Sequence, residues 1–322
     1  MTTPAGQPNL GPSIGSLLIA AICSAMLYGS SCAQFAYYLR HYLDRDRLPM
    51  RCLVLFVWLL DTIVTISDIC IIWFFVVTNH GNLSSLLVTP RVFELEYTTI
   101  VVTTCVVQLF YVSQIWQLLR ESSSRLKLVI TVAPVVLSLV SLAFTVEDVY
   151  TIATKTDWLI SKSITLSTPW TTSRVWSDAV ADVCICIALS WLLRKKKTGI
   201  RETDNMIGKL VTSIINRGIL SMIVQIVLCG TYVSSIKQNA LVWMVPHCAG
   251  CKIYVNSMLA VLNARQHVKK GRASVDINMI NLTGSNKVSE TNCSLDVHPC
   301  TARSTSGSTP RTRGCVGEAK TT

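Results

Sequence analysis

Apolar residues in this chain fall into long blocks rather than a short-period pattern, separated by brief polar stretches. The blocks run at about Ile14–Leu39, Leu53–Thr78, Tyr97–Leu119, Leu128–Tyr150, Val175–Leu193, Leu210–Val233 and Leu241–Asn263. At about 1.5 Å per residue, each is long enough to cross a hydrocarbon core of about 30 Å. The pattern predicts an all-α membrane protein, a seven-transmembrane-helix bundle over residues 14–263. Residues 1–13 are uncharged and hold Pro and Gly, which predicts a flexible N-terminal segment. They carry no basic n-region, and the first block is too long for a signal h-region, so it is expected to span. After Asn263 the composition turns to Ser, Thr, Gly and charge, and residues 264–322 are expected to be a disordered tail.

Composition agrees, with half of the 322 residues hydrophobic and only 15% charged. The formal charge of +11 would suit nucleic acid, but the basic residues cluster at the ends of the apolar blocks, where membrane proteins keep cytoplasmic anchors. Arg40, Arg45, Arg47 and Arg51 lie in the first loop, Arg120, Arg125 and Lys127 in the third, and Arg194, Lys195, Lys196, Lys197, Arg201 and Lys209 in the fifth. The opposite side holds only Arg91, Lys155, Lys162, Arg174 and Lys237. The bias predicts the N-terminus outside and the C-terminus cytoplasmic, in the plasma membrane or an endomembrane. The expected partners are the lipid bilayer, anionic lipid at the cytoplasmic face through Arg265, Lys269, Lys270 and Arg272, and a small ligand, with no nucleic acid. The sequon at Asn82 falls in an outside loop and is a glycosylation candidate, whereas those at Asn281 and Asn292 fall in the tail. Ten of thirteen cysteines lie in or beside the apolar blocks, and Cys248 with Cys251 reads as small packing residues. The histidines are scattered, so neither a metal site nor a cofactor is expected.

Charge inside a span is expensive, about 2.5 to 3.5 kcal/mol per residue at a helix centre, and marks either structure or function. Four such groups lie deep: Asp61, Asp68, Arg217 and Lys252. Asp61 and Asp68 share one helical face with Thr65, and Lys252 shares one with Asn256 and Asn263. Depth counted from the block ends predicts Asp61 with Arg217, and Asp68 with Lys252, in an inward polar cluster that includes Asn256. Arg174, Asp178 and Asp182 are expected nearer the outer end, lining a vestibule or pairing among themselves. Thr104, Gln108 and Tyr111 form a polar stripe on the third segment. The seventh segment has only eight Leu, Ile, Val or Phe residues, worth roughly 4 kcal/mol of insertion, against a lysine costing about 3. It needs the rest of the bundle to hold it.

The stretches FVWLLDT (Phe56–Thr62), SRVWSDAV (Ser173–Val180), LLRKKKTGIRETDNMI (Leu192–Ile207) and CKIYVNSMLAVLNAR (Cys251–Arg265) carry a resemblance over roughly Leu10–Arg265. The chain resembles a family of seven-helix membrane proteins of basidiomycete fungi catalogued as a domain of unknown function. The resemblance implies fold and membrane location, with no assigned reaction. Ser173, Arg174, Asp178, Lys252, Tyr254, Asn256, Ser257, Asn263 and Arg265 match its recurring positions, and Arg217 departs from it. A lysine at mid-depth of a seventh helix is shared with retinal proteins, but Tyr97–Leu119 contains no acidic counter-ion. The third segment ends in WQLLRESS rather than the acid-Arg-Tyr triplet of G-protein-coupled receptors, and no inverted repeat of a transporter is visible. No phosphate loop, zinc signature or nucleophile elbow suggests an enzyme. The function expected is receptor-like sensing of a small ligand through the inward cluster. The alternatives are a secondary transporter or channel for a small solute or ion, and a structural membrane scaffold without a ligand.

Overall fold

Every described segment of this computed structural model is helical or joins two helices; the structure describes residues 11–42, 46–79, 88–119, 124–155, 159–195, 201–238 and 241–264. Seven long α-helices occur among them: α1 (Ser16–Tyr42), α2 (Leu48–Trp73), α3 (Val92–Leu118), α4 (Ser124–Lys155), α5 (Ile160–Lys195), α6 (Arg201–Gln238) and α7 (244–264). A π-helical turn at Gly11–Gly15 leads into α1, and another at Phe74–Thr78 ends α2. Of the N-terminal segment expected over residues 1–13, residues 11–13 fall in that first π-helical turn, and of the tail expected over residues 264–322, Ala264 ends α7; the rest of both, and Asn82, lie outside the described residues.

Six of the seven helices are long and apolar enough to cross a membrane, and α7 is not among those six. Their outward faces carry bare apolar side chains, such as Ile19 and Met26 on α1, Ile66 and Ile69 on α2, Leu139 on α4 and Ile223 on α6. Exposed apolar surface on that scale suits lipid rather than water. This is the architecture of a membrane-embedded helical bundle. Helix α3 is buried on nearly every side, and its threonines at 99 and 103 return their hydroxyls to the carbonyls four residues back, which lets polar residues sit in the core. The sequential neighbours α1 to α6 pack pairwise, and α3 also packs on α5.

Helix α7 is the second central element. Cys248, Val255, Met258, Leu259 and Leu262 on it are all buried, and it bonds to α1, α2, α3, α5 and α6. Pro246 lies in its first turn, where the missing N–H would have no helical partner anyway, so it does not interrupt the helix. The fifth helix is longer than its hydropathy suggests. Residues 160–174, expected as loop, are helical, and Arg174 is a buried residue inside α5. Hydroxyls at Thr168 and Thr172 bond the carbonyls of Ile164 and Thr168, which removes their polarity from the helix surface.

Helices α5 and α6 approach closely at Gly218, where a Cβ would stand 2.7 Å from Cys186 Sγ. That approach brings Arg217 to the α5 face. Gly218→Ala should lower stability by about 1–3 kcal/mol through overpacking, read by thermal unfolding, and Cys186→Ala in the same chain should recover most of the loss. No loss on Gly218→Ala would mean that the helices do not depend on this contact.

Candidate functional site

Three polar centres occupy the bundle interior, and helix ends set their levels. Helix α2 begins at Leu48, five residues before the apolar block that marks it, so Asp61 lies 13 residues into the helix. Lys252 lies 12 residues before the end of α7. Packed antiparallel, the two stand level. Lys252 Nζ donates to Asp61 Oδ1 at 2.8 Å, to the Asp61 carbonyl at 2.8 Å and to Thr65 Oγ1 at 2.6 Å, and both charged residues are fully buried. All three ammonium hydrogens thus have acceptors. Asp61 Oδ2 has no hydrogen-bond partner. The expected pairing of Lys252 with Asp68, and of Asp61 with Arg217, is therefore corrected. Asp68 stands farther along α2, where it accepts from Ser24 Oγ at 2.6 Å and Cys248 Sγ at 3.5 Å. Asn256, one turn from Lys252, faces α1 instead: it donates to Ser31 Oγ at 3.0 Å and accepts from Gln34 Nε2 at 2.9 Å. Farther along the same stripe, Asn263 Nδ2 donates to the Gln34 carbonyl at 3.0 Å.

Beside Asp68 lies Glu96, a fully buried acid of α3. It stands one residue before the third apolar block, so the absence of an acid from that block does not hold for the helix itself. His247 Nε2 lies 3.3 Å from Glu96 Oε1, and Cys248 Sγ lies 3.9 Å from the same oxygen. Asp68, Glu96 and Cys248 bring one ligand atom each within 4.8 Å of one another, the arrangement among the described residues that could hold a metal ion. Sequence spacing could not assemble it, because its members come from three helices.

The second centre is Asp182 on α5. Its carboxylate accepts from Gln108 Nε2 at 3.2 Å, Ser221 Oγ at 2.7 Å and Tyr254 Oη, while Arg217 Nη2 lies 3.8 Å away. Helix α6 packs on α5, which is why Arg217 meets Asp182 rather than Asp61 on α2. The guanidinium stacks over the Tyr111 ring with its carbon 3.8 Å from the centroid, and its Nε and Nη2 have no hydrogen-bond partner. Arg174 and Asp178, expected to line a vestibule with Asp182 or to pair, form a buried ion pair of 3.1 Å within α5. Gln108 joins the two aspartates, reaching the Asp178 carbonyl at 3.5 Å and the Asp182 side chain. Its own oxygen accepts from Ser138 on α4.

The third centre joins Arg174 to residues not singled out from the sequence, Tyr97, Asp148 and Thr171. Arg174 Nε donates to the Tyr97 hydroxyl at 3.0 Å, and that hydroxyl donates to Asp148 Oδ2 at 2.7 Å. Thr171 Oγ1 donates to the same oxygen at 2.6 Å. Asp148 forms part of the wall of a cavity of ≈ 60 Å³ at the end of the bundle where α2, α4 and α6 finish and α1, α3, α5 and α7 begin. The bridge between Val88 and Leu159 ties the segments that precede α3 and α5 at this end. The cavity thus sits at one end of a hydrogen-bonded chain, Asp148, Tyr97, Arg174, Asp178, that Gln108 continues to Asp182.

A model of a family of unknown function, DUF6534, matches residues 178–267. That stretch runs from Asp178 through the end of α7 and includes Asp182, Arg217, Lys252 and Asn256, but neither Asp61 nor Asp148. No curated protein and no solved structure matches the chain.

Proposed function

We propose that this is a seven-span integral membrane protein with its N-terminus outside, and that it is receptor-like, sensing a small ligand at the outer end of the bundle. The chain from Asp148 to Asp182 carries this reading. A group that binds at the cavity wall and displaces the Tyr97 or Thr171 bonds would disturb Arg174, and through it the α5, α6 and α7 contacts at Asp182. The lysine and arginine bias supports a cavity on the outside and an α5–α6 connection on the inside. Helix α7 crosses as the seventh span, held by polar contacts rather than by its own hydropathy. The resemblance over Leu10–Arg265 favours a basidiomycete source. We assign no reaction to the chain. Anionic lipid at the cytoplasmic face, through the basic start of the tail, remains part of the proposal.

For the Lys252–Asp61 pair a structural role fits better than a ligand site. Its ammonium is saturated and sealed, so a ligand there would have to displace three bonds.

A thermal-shift screen of small metabolites on nanodisc-embedded protein tests the reading, followed by hydrogen exchange at the inner ends of α5 and α6. At least one compound should stabilise the protein and slow exchange there, and Arg174→Met should keep binding while losing the distant protection. A protein that answers no compound is the scaffold. One that instead carries solute into proteoliposomes is the transporter.

A further inference from the structure

Four residues that line the cavity at the outer end of the bundle each carry a buried polar atom without a hydrogen-bond partner: Asp148 Oδ1, Ser163 Oγ, Ser167 Oγ and Trp243 Nε1. These residues are 1%, 6%, 2% and 7% exposed. Buried polar groups are almost always bonded, so four on one small wall call for an occupant that satisfies them. The rest of the wall is apolar, with Leu17, Ile71, Phe75, Phe93 and Ile164 among its residues. Water would satisfy the polar atoms and leave that wall wet, whereas a molecule with a polar head and an apolar body satisfies both.

The head group follows from the donors and acceptors. Asp148, a residue of the cavity wall, has its Oδ2 taken by Tyr97 and Thr171, while its Oδ1 has no hydrogen-bond partner. Arg174 reaches Asp148 only through the Tyr97 hydroxyl and is itself paired with Asp178. A carboxylate in that position is complemented by a cation. Asp148 Oδ1, Ser163 Oγ and Ser167 Oγ offer three acceptors, and a primary ammonium has three hydrogens to give. Phe93, Tyr97, Tyr232 and Trp243 add aromatic rings around the same space, which favour a cation over a neutral head. Trp243 Nε1 is a donor only and asks for one acceptor oxygen on the body of the ligand.

We propose that this cavity binds a small primary amine with an apolar body bearing one oxygen, that Asp148 takes the ammonium, and that Trp243 takes the oxygen. The proposal rests on the sensing role inferred above and names the ligand class of that site. Two sequence signals lie behind it, an acid near the end of the fourth apolar block and a serine-rich start of α5.

Tyramine serves as the probe and 4-ethylphenol, which lacks the amine, as its control, both at millimolar concentration on the full chain in nanodiscs. Wild type should show a concentration-dependent rise in Tm with tyramine and little with 4-ethylphenol. Asp148→Asn should weaken tyramine at least tenfold, and Ile164→Trp, which fills the cavity from α5 and leaves the acid in place, should abolish its effect. An equal response to both compounds, a tyramine effect unchanged in Ile164→Trp, or no tyramine effect in wild type overturns the proposal. If Asp148→Asn does not fold, the control compound and Ile164→Trp still decide. Should tyramine fail while another compound stabilises wild type and not Ile164→Trp, the amine assignment falls and the sensing role stands. Should no compound act, both fall.

Discussion

Lys252→Met will destabilise the bundle by about 3 to 5 kcal/mol, the usual cost of stripping one partner from a buried ion pair. The loss comes less from the missing attraction than from what remains: Asp61, fully buried, with one oxygen already unpartnered and the other deprived of its ammonium. The Asp61 carbonyl and Thr65 lose a donor as well. Lys252→Met combined with Asp61→Leu should recover most of the stability, because an apolar pair of similar size avoids the desolvation that the charges carry. Thermal unfolding in detergent of the two single variants and the double variant gives the coupling directly. If the double variant is as unstable as the worse single one, the pair is more than a clasp between α2 and α7.

The second expected contrast lies at Asp182. Asp182→Ala removes one acceptor from Gln108, Ser221 and Tyr254 at once, each loss worth about 1–3 kcal/mol in a buried site, and although each keeps a second, weaker or differently directed bond the sum should reach about 3–5 kcal/mol. Arg217→Leu should cost within about 1 kcal/mol. Its guanidinium is 3.8 Å from the carboxylate and leaves two nitrogens unbonded, so its removal relieves burial of a charge while losing mainly the stacking on Tyr111. Unfolding of both variants in mixed micelles separates the cases. Equal losses would show that the charge pair, rather than the hydroxyl and amide bonds, holds this junction.

The deep charges could be read from sequence because each interrupts an apolar block, and a lysine or aspartate at mid-span has nowhere polar to go but inward. Their partners could not, because pairing depends on where each helix begins. Five residues of amphipathic start, Leu48 to Cys52, move Asp61 from the level of Arg217 to that of Lys252. Glu96 escaped notice by lying one residue outside a block, and Asp148 by sitting beside the exposed Glu147 near a block end. The first four turns of α5 are rich in Ser and Thr, and hydropathy reads them as a loop. The helix forms because those hydroxyls bond back to the carbonyls one turn earlier, a saving that a transfer scale does not count. The weak insertion of α7 was legible and agrees with its absence from the helices that qualify as spans by length and composition.

The central place of α7 bears on the order in which this protein is made. Of the seven described helices it is synthesised last, yet acids on three earlier helices, Asp61, Glu96 and Asp182, find bonding partners on it. A chain cleaved before residue 241 would leave Asp61 without its cation and strip Glu96 and Asp182 of their partners on α7. Such a six-helix product would be poorly soluble in the bilayer and open to the cell's membrane proteases. Supplying residues 241–264 as a separate peptide in the same membrane should rescue it. Completion of α7 is thereby expected to act as a folding checkpoint for the six described helices that precede it.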